Sequence, residues 1–154
     1  MTETPLPLFL VCEDGDEYTQ RFRRFLHREF RFVRAPGGRA AEEAIRREPA
    51  AGLLLDLDFR RLPAPELLGE DGSFDLPRSP RDATRRSASQ GILILQYLRS
   101  QGVRLPALLF ADLEDHEQVA YLERTLAPLS VVASHEGLVQ LSARLRSMLA
   151  MRSA

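Results

Sequence analysis

The sequence predicts one α/β domain, a doubly wound five-stranded parallel sheet with helices on both faces. Three observations carry this. Gly52-Leu53-Leu54-Leu55 and similar short apolar runs recur along the 154 residues without a polar break, the mark of strands buried on both faces. Stretches of helical periodicity alternate with these runs five times, an order that yields parallel strands joined by helical crossovers. Carboxylates stand where the first and third strands should end, and in open sheets of this kind ligands gather outside the carboxyl ends of the strands.

In chain order, Leu8-Phe9-Leu10-Val11-Cys12 is the first strand, ending in Glu13-Asp14-Gly15-Asp16. Tyr18, Phe22, Phe25, Leu26 and Phe30 form one face of a first helix, with Asp16 as its expected cap. Phe30-Arg31-Phe32-Val33-Arg34 alternates as a strand, and 40–47 is a helix stopped by Pro49. The third strand, 53–56, delivers Asp56 and Asp58. Residues 60–88 hold Pro63, Pro65, Pro77 and Pro80 and read as an inserted irregular loop with at most one helical turn near 66–68. Its first half is acidic (Glu66, Glu70, Asp71, Asp75) and its second basic (Arg78, Arg81, Arg85 and Arg86 against Asp82). Ile92, Leu93, Leu95, Tyr97 and Leu98 mark a third helix, and 105–110 a fourth strand. Val119, Leu122 and Leu126 stripe a fourth helix, 129–133 is a fifth strand, and Leu138, Leu141, Leu145 and Leu149 stripe a last helix. The expectation is one domain over 6–151 with strand order 2-1-3-4-5, the flavodoxin-like arrangement. Glu13, Asp14 and Asp56 should converge where that order reverses.

Composition narrows the function. Hydrophobic residues make up 44% and charged residues 28%, ordinary for a globular domain, and the formal net charge of -1 favours neither nucleic acid nor an anionic membrane. No apolar run approaches the ~20 residues that span a bilayer. The N-terminus does not read as a signal peptide, and the single Cys12 lies in an apolar run; together these point to a buried thiol and a cytoplasmic, reducing location. All 21 basic residues are Arg, so no mechanism can use a lysine ammonium.

Phe9-Leu10-Val11-Cys12-Glu13-Asp14 and Leu54-Leu55-Asp56-Leu57-Asp58 together resemble the acidic-pair and phosphoacceptor motifs of the receiver domains of bacterial two-component response regulators. Gln90-Gly91-Ile92-Leu93 resembles the start of that family's third helix, and Leu105-Pro106-Ala107-Leu108-Leu109-Phe110 its fourth strand. The resemblance covers nearly the whole chain apart from 60–88. It implies Asp56 in the phosphoacceptor position and Mg²⁺ held by Glu13, Asp14 and Asp56. Such a cluster suits a hard cation, which relieves repulsion among carboxylates. The resemblance also implies a Ser or Thr ending strand four, a Lys ending strand five and an aromatic within strand five. Here those positions carry Ala111, then Ala133 or Ser134, and Ser130. Losing a charge-assisted bond to a phosphoryl oxygen costs on the order of 1.5–3 kcal/mol. The expectation is therefore a degenerate receiver, a pseudo-receiver acting in signal transduction by binding a protein partner, not as an enzyme.

Alternatives follow from the same residues. All three carboxylates permit a working, Mg²⁺-dependent receiver with Asp56 as acceptor. Glu13 with Asp56-Leu57-Asp58 loosely resembles a Toprim-like Mg²⁺-dependent phosphodiester enzyme. Glu13 and Asp14 could instead be solvated loop acids or a helix cap. His27, His116 and His135 are too scattered for a metal site. Arg78, Arg81, Arg85 and Arg86 could contact an anion or partner, or fold back onto the acids in place of a metal. In receivers the face of the fourth helix, fifth strand and fifth helix commonly serves for pairing. That face, with Leu126, Leu129 and the 138–149 stripe, is the expected homodimer surface.

Overall fold

The computed structural model describes residues 4–153. Along the chain run β1 (Leu8–Cys12), α1 (Glu17–Leu26), β2 (Arg31–Ala35), α2 (Gly38–Arg47), β3 (Gly52–Asp56), a 3-10 turn (Ala64–Glu66), α3 (Pro80–Ala88), α4 (Gln90–Ser100), β4 (Ala107–Phe110), α5 (His116–Thr125), β5 (Leu129–Val132) and α6 (Leu138–Ser153). The strands form one sheet in the order β2-β1-β3-β4-β5, every pair parallel. This is the flavodoxin-like order the apolar runs predict. Its register sets Cys12 beside Leu55, Asp56 beside Phe110 and Phe110 beside Val132. The residues following these strand ends therefore share one edge of the sheet.

Each sheet face carries its own core. On one, Leu10, Leu53, Leu55 and Leu109 pack against Leu68, Ile94, Leu95 and Leu98. On the other, Phe9, Val11, Leu54 and Leu108 meet Phe22, Leu141, Leu145 and Met148. Fully burying a Leu or Phe contributes roughly 1.5–3 kcal/mol, so these faces dominate stability. Cys12 is a buried free thiol whose pKa burial raises to about 12, with Glu13 adding to it.

Four differences from the sequence expectation have physical causes. Residues 80–88 are not loop but α3, which starts with Pro80 after a Ser79 hydroxyl that accepts from the Asp82 N–H at 3.1 Å. The preceding segment is also anchored. Leu67 and Leu68 are buried, and the wholly buried Gln90 side chain accepts from the Leu68 N–H at 2.9 Å and donates to its carbonyl at 3.1 Å. The first helix ends at Leu26, leaving Phe25 56% exposed and Phe30 buried ahead of β2. Finally, the leucines expected to make a dimer surface face inward. Leu126, Leu129, Leu141 and Leu145 are buried, and Leu149 packs on the core.

Candidate functional site at the carboxyl ends of the strands

An open cleft of about 520 Å³ is lined by Glu13, Asp14, Glu17, Tyr18, Asp56, Asp58, Arg60 and Arg61. β1 delivers Glu13 and Asp14, β3 delivers Asp56 and the turn after it Asp58, so the acids expected to converge do line one cleft. They are not equivalent. Glu13 is buried, and its carboxylate accepts from the Tyr18 N–H (3.1 Å), the Thr19 N–H (2.7 Å) and the Thr19 hydroxyl (2.7 Å). It satisfies the first N–H groups of α1, groups with no partner inside the helix. Asp16, the expected cap, stands at the N-cap position without a capping bond and accepts instead from the Gln20 amide at 2.5 Å.

Asp14 is held from two sides. Its carboxylate accepts from the Arg61 backbone N–H at 2.5 Å, and the Arg34 guanidinium donates to the Asp14 and Gly15 carbonyls. The Arg61 guanidinium reaches across to Glu17 at 2.8 Å, which holds the Glu17 carboxyl below the usual range. Arg60 bonds Asp58 at 2.7 Å. The other Asp58 oxygen is buried without a partner. Among the described residues no three His, Cys, Asp or Glu side chains form a group that could hold a metal ion. The Mg²⁺ set expected from Glu13, Asp14 and Asp56 does not fit this arrangement, because Glu13 is bonded to α1 and Asp14 to the loop after β3.

Asp56 ends β3 half-buried, and its carboxylate accepts one hydrogen bond, from the Leu57 N–H at 2.9 Å. Burial raises its pKa to about 6, opposed by that N–H and reinforced by the charges of Glu13, Asp14 and Asp58. A carboxyl raised in the folded state contributes stability that is complete below its unfolded pKa near 4 and is lost as pH rises through about 6. Asp56→Asn should therefore match the wild type near pH 4 and be more stable at pH 7.5. The gain is about 1 kcal/mol after allowing for solvent screening, or roughly 2–4 °C in a thermal melt. Equal melting points at both pH values would contradict it.

The four residues that the receiver resemblance matches to switch positions lie in or just after β4 and β5. Ala111 is buried at the end of β4, its N–H donating to the Val132 carbonyl at 2.9 Å. Ser130 lies within β5, opposite Leu108. Ala133 is exposed, and Ser134 binds Asp112 through its N–H (3.0 Å) and hydroxyl (2.5 Å). Tyr18, by periodicity a helix-face aromatic, takes a further place in the fold. It lies beside this edge, its ring stacked 4.8 Å from Phe110 and its hydroxyl donating to the Ser134 carbonyl at 3.4 Å. Burial raises its pKa to about 12, and the nearby Asp56, Glu13 and Asp112 add to the rise.

The arginines reaching the acids are Arg60 and Arg61, not the cluster in 78–86. Arg85 pairs with Asp82 (2.9 Å) and Glu70 (3.5 Å), and Arg86 with Asp82 (3.1 Å) and the Asp75 carbonyl (2.6 Å). Arg60-Arg61 follows Asp58 after the single residue Phe59, and that closeness is the signal available in the sequence. His27, His116 and His135 are exposed.

No family model matches the chain, and no curated sequence does. Its structure does find counterparts. The receiver domain of a Francisella response regulator, 1452, superposes with a TM-score of 0.67 at 16% identity, covering 96% of this chain and 99% of that one. This chain has a receiver fold. The beryllofluoride-activated receiver domain of Klebsiella pneumoniae RstA matches at 22% identity and a TM-score of 0.62, covering 92% and 97% of the two chains. A receiver domain of a signal transduction histidine kinase from Syntrophus aciditrophicus matches at 13% and 0.64, covering 94% and 90%. Receivers of this fold thus occur in both response regulators and kinases of two-component signalling, and among the described residues no helix is long and apolar enough to cross a membrane.

Proposed function

We propose that the chain is a pseudo-receiver, a signalling domain that binds a protein partner without productive phosphorylation of Asp56. The observation that carries this reading is the engagement of the acids by the chain itself: Glu13 with α1, Asp14 with Arg61, Asp58 with Arg60. A hard cation would have to displace these bonds. The far side of the site lacks what a phosphoryl group would need, since Ala111 and Ala133 offer no side-chain donor and the Ser134 hydroxyl is bound to Asp112. Tyr18 bridges from α1 to the end of β5, its ring stacked on Phe110 and its hydroxyl on the Ser134 carbonyl. Such a domain holds one conformation, and its output is set by binding. No residue in the cleft is assigned a catalytic role. The buried thiol of Cys12 supports a reducing, cytoplasmic setting.

Titration with Mg²⁺ and beryllofluoride, followed by amide NMR, tests the reading. The expected result is no shift at Asp14, Asp56 or Ala111 from either addition. Shifts spreading from those residues to β5 and α6 would overturn it. They would support the second reading, a phosphorylatable receiver, which the half-buried Asp56 carboxyl with its single hydrogen bond favours. That reading requires Glu13 to leave the start of α1. The Toprim-like reading is weaker still, because it needs Glu13 and Asp58 free together. A homodimer on the α5–β5–α6 face would have to use Tyr121, 55% exposed, and Val139, 80% exposed, in place of the buried leucines.

A further inference from the structure

α3 has no packing role that accounts for it. None of its nine residues is buried, and its apolar side chains are only Pro80, Ala83 and Ala88. A helix without an apolar face forms only where polar contacts hold it. Here the contacts are the Ser79 cap and the inward pair of Asp82 and Arg86, each side chain 11% exposed. Arg86 continues to the Asp75 carbonyl and Gln90 to the Arg86 carbonyl, so α3 is clamped to 69–75 on one side and to α4 on the other. The crossover from β3 to α4 needs no such helix.

What the clamp presents is a basic face. Arg78, Arg81, Thr84 and Arg85 line an open cleft of about 970 Å³ together with Glu70 and Asp71. Among the described residues the Arg78 and Arg81 guanidiniums bond nothing, whereas Arg85 is pinned by Asp82 and Glu70. Arg81 and Arg85 stand four residues apart on α3, roughly 6 Å along the helical rise, and Arg78 precedes the Ser79 cap at the helix start. Two residues before Arg78, Leu76 is 66% exposed. Unpaired guanidiniums at the start of a clamped helix, two residues from an exposed leucine, form a docking surface, since each fork matches a carboxylate in bidentate fashion.

We infer that the outer face of α3, with Leu76, docks an acidic segment of a protein partner that carries an apolar side chain among its carboxylates. This rests on the reading that the chain works by binding a protein, and it supplies the surface. Charge complementarity selects the occupant. Glu70, Asp71 and Asp82 interrupt the cleft and the whole chain is near neutral, which opposes the continuous phosphate track of a nucleic acid. Separate carboxylates, by contrast, can meet separate arginines.

The probe is a labelled ten-residue peptide of glutamates with two leucines, added to the full chain at low salt and followed by amide NMR and anisotropy. Shifts should concentrate in 70–88 and weaken as salt is raised. Arg78→Glu with Arg81→Glu removes no contact that holds the fold, so its circular dichroism and melt should match the wild type while peptide affinity falls about tenfold or more. Leu76→Ser should weaken binding with no change in salt dependence. Affinity unaffected by the charge reversal, shifts spread over other faces, or no binding at all would overturn the proposal. Tighter binding of a single-stranded RNA oligonucleotide than of the peptide would overturn the class of partner. A response to beryllofluoride would refute the pseudo-receiver reading and leave peptide docking standing, so the two fail separately.

Discussion

Gly91→Ala should be among the most damaging single-methyl additions to this chain. Gly91 opens α4 against the end of β3, its N–H donating to the Leu57 carbonyl at 3.0 Å. A Cβ there would stand 1.9 Å from the Asp56 carbonyl oxygen, 3.0 Å from its carbon and 3.1 Å from the Leu57 Cα. All three are backbone atoms of a central strand, so no side chain can swing aside; either the helix or the strand end must move. Overpacking of this kind costs about 3 kcal/mol at its upper range, or roughly 6–12 °C in melting temperature. The sign makes the test sharp. Were the contact absent, alanine would stabilise a helical position by about 1 kcal/mol over glycine. A thermal melt of the variant that is unchanged or raised would show that α4 does not approach Asp56 this closely. A fall, with amide shifts at Asp56 and Leu57, would place the helix start as a determinant of the site's shape.

The same residues show what a sequence can and cannot disclose. The inner strands β1, β3 and β4 are legible as unbroken apolar runs because each is buried on both faces, Leu53-Leu54-Leu55 most plainly, while the edge strands β2 and β5 are half-buried and carry Arg31, Arg34 and Ser130. Their order and the sharing of one edge by Glu13, Asp14 and Asp56 followed from parallel topology. α3 was not legible by periodicity, because a helix that buries nothing leaves no apolar stripe; its signals were Ser79, Pro80 and Asp82, which are start signals alone. The apolar stripe runs past the end of α1 because Phe22, Leu26 and Phe30 keep a four-residue spacing, although Phe30 belongs to the lead into β2. Most consequential was Glu13. A carboxylate three residues before an N-cap fits neither the capping box nor a metal motif uniquely, and only the fold shows it turned toward Thr19. The leucines at 138–149 were correctly read as amphipathic, but periodicity says that a face is apolar, not whether the core or a partner covers it.

Arg99→Met is the second large loss to expect. Arg99 lies in α4, buried, with no carboxylate partner among the described residues. Its guanidinium donates to three backbone carbonyls: Leu126 at 3.0 Å, Val103 at 3.0 Å and Pro128 at 2.8 Å. Val103 lies on the turn before β4 and the other two on the turn from α5 into β5; the Pro128 carbonyl also accepts from the Ala107 N–H at 3.0 Å and the Val103 carbonyl from the Arg104 guanidinium at 3.3 Å, whereas for Leu126 the Arg99 guanidinium is the partner. Methionine keeps the apolar stem, leaves the Leu126 carbonyl unmatched and takes one of two partners from the Pro128 and Val103 carbonyls, a loss of about 2 kcal/mol. Burial lowers the Arg99 pKa to about 10, with Arg104 contributing, and the group remains charged at neutral pH. A lysine in the same place starts from a lower ordinary value, near 10.4, and burial would push it further toward losing its proton. It also presents a point charge instead of a fork. Arg99→Lys should therefore recover only part of the loss, and full recovery would mean that charge alone, not geometry, holds the corner. Because Pro128 leads directly into β5, the variant's amide shifts should extend along that strand to Ser134, the residue tied to Tyr18 and Asp112 at the far side of the cleft. Shifts that stop at Leu129 would instead make Arg99 a purely local clamp, with the cleft independent of the corner beneath it.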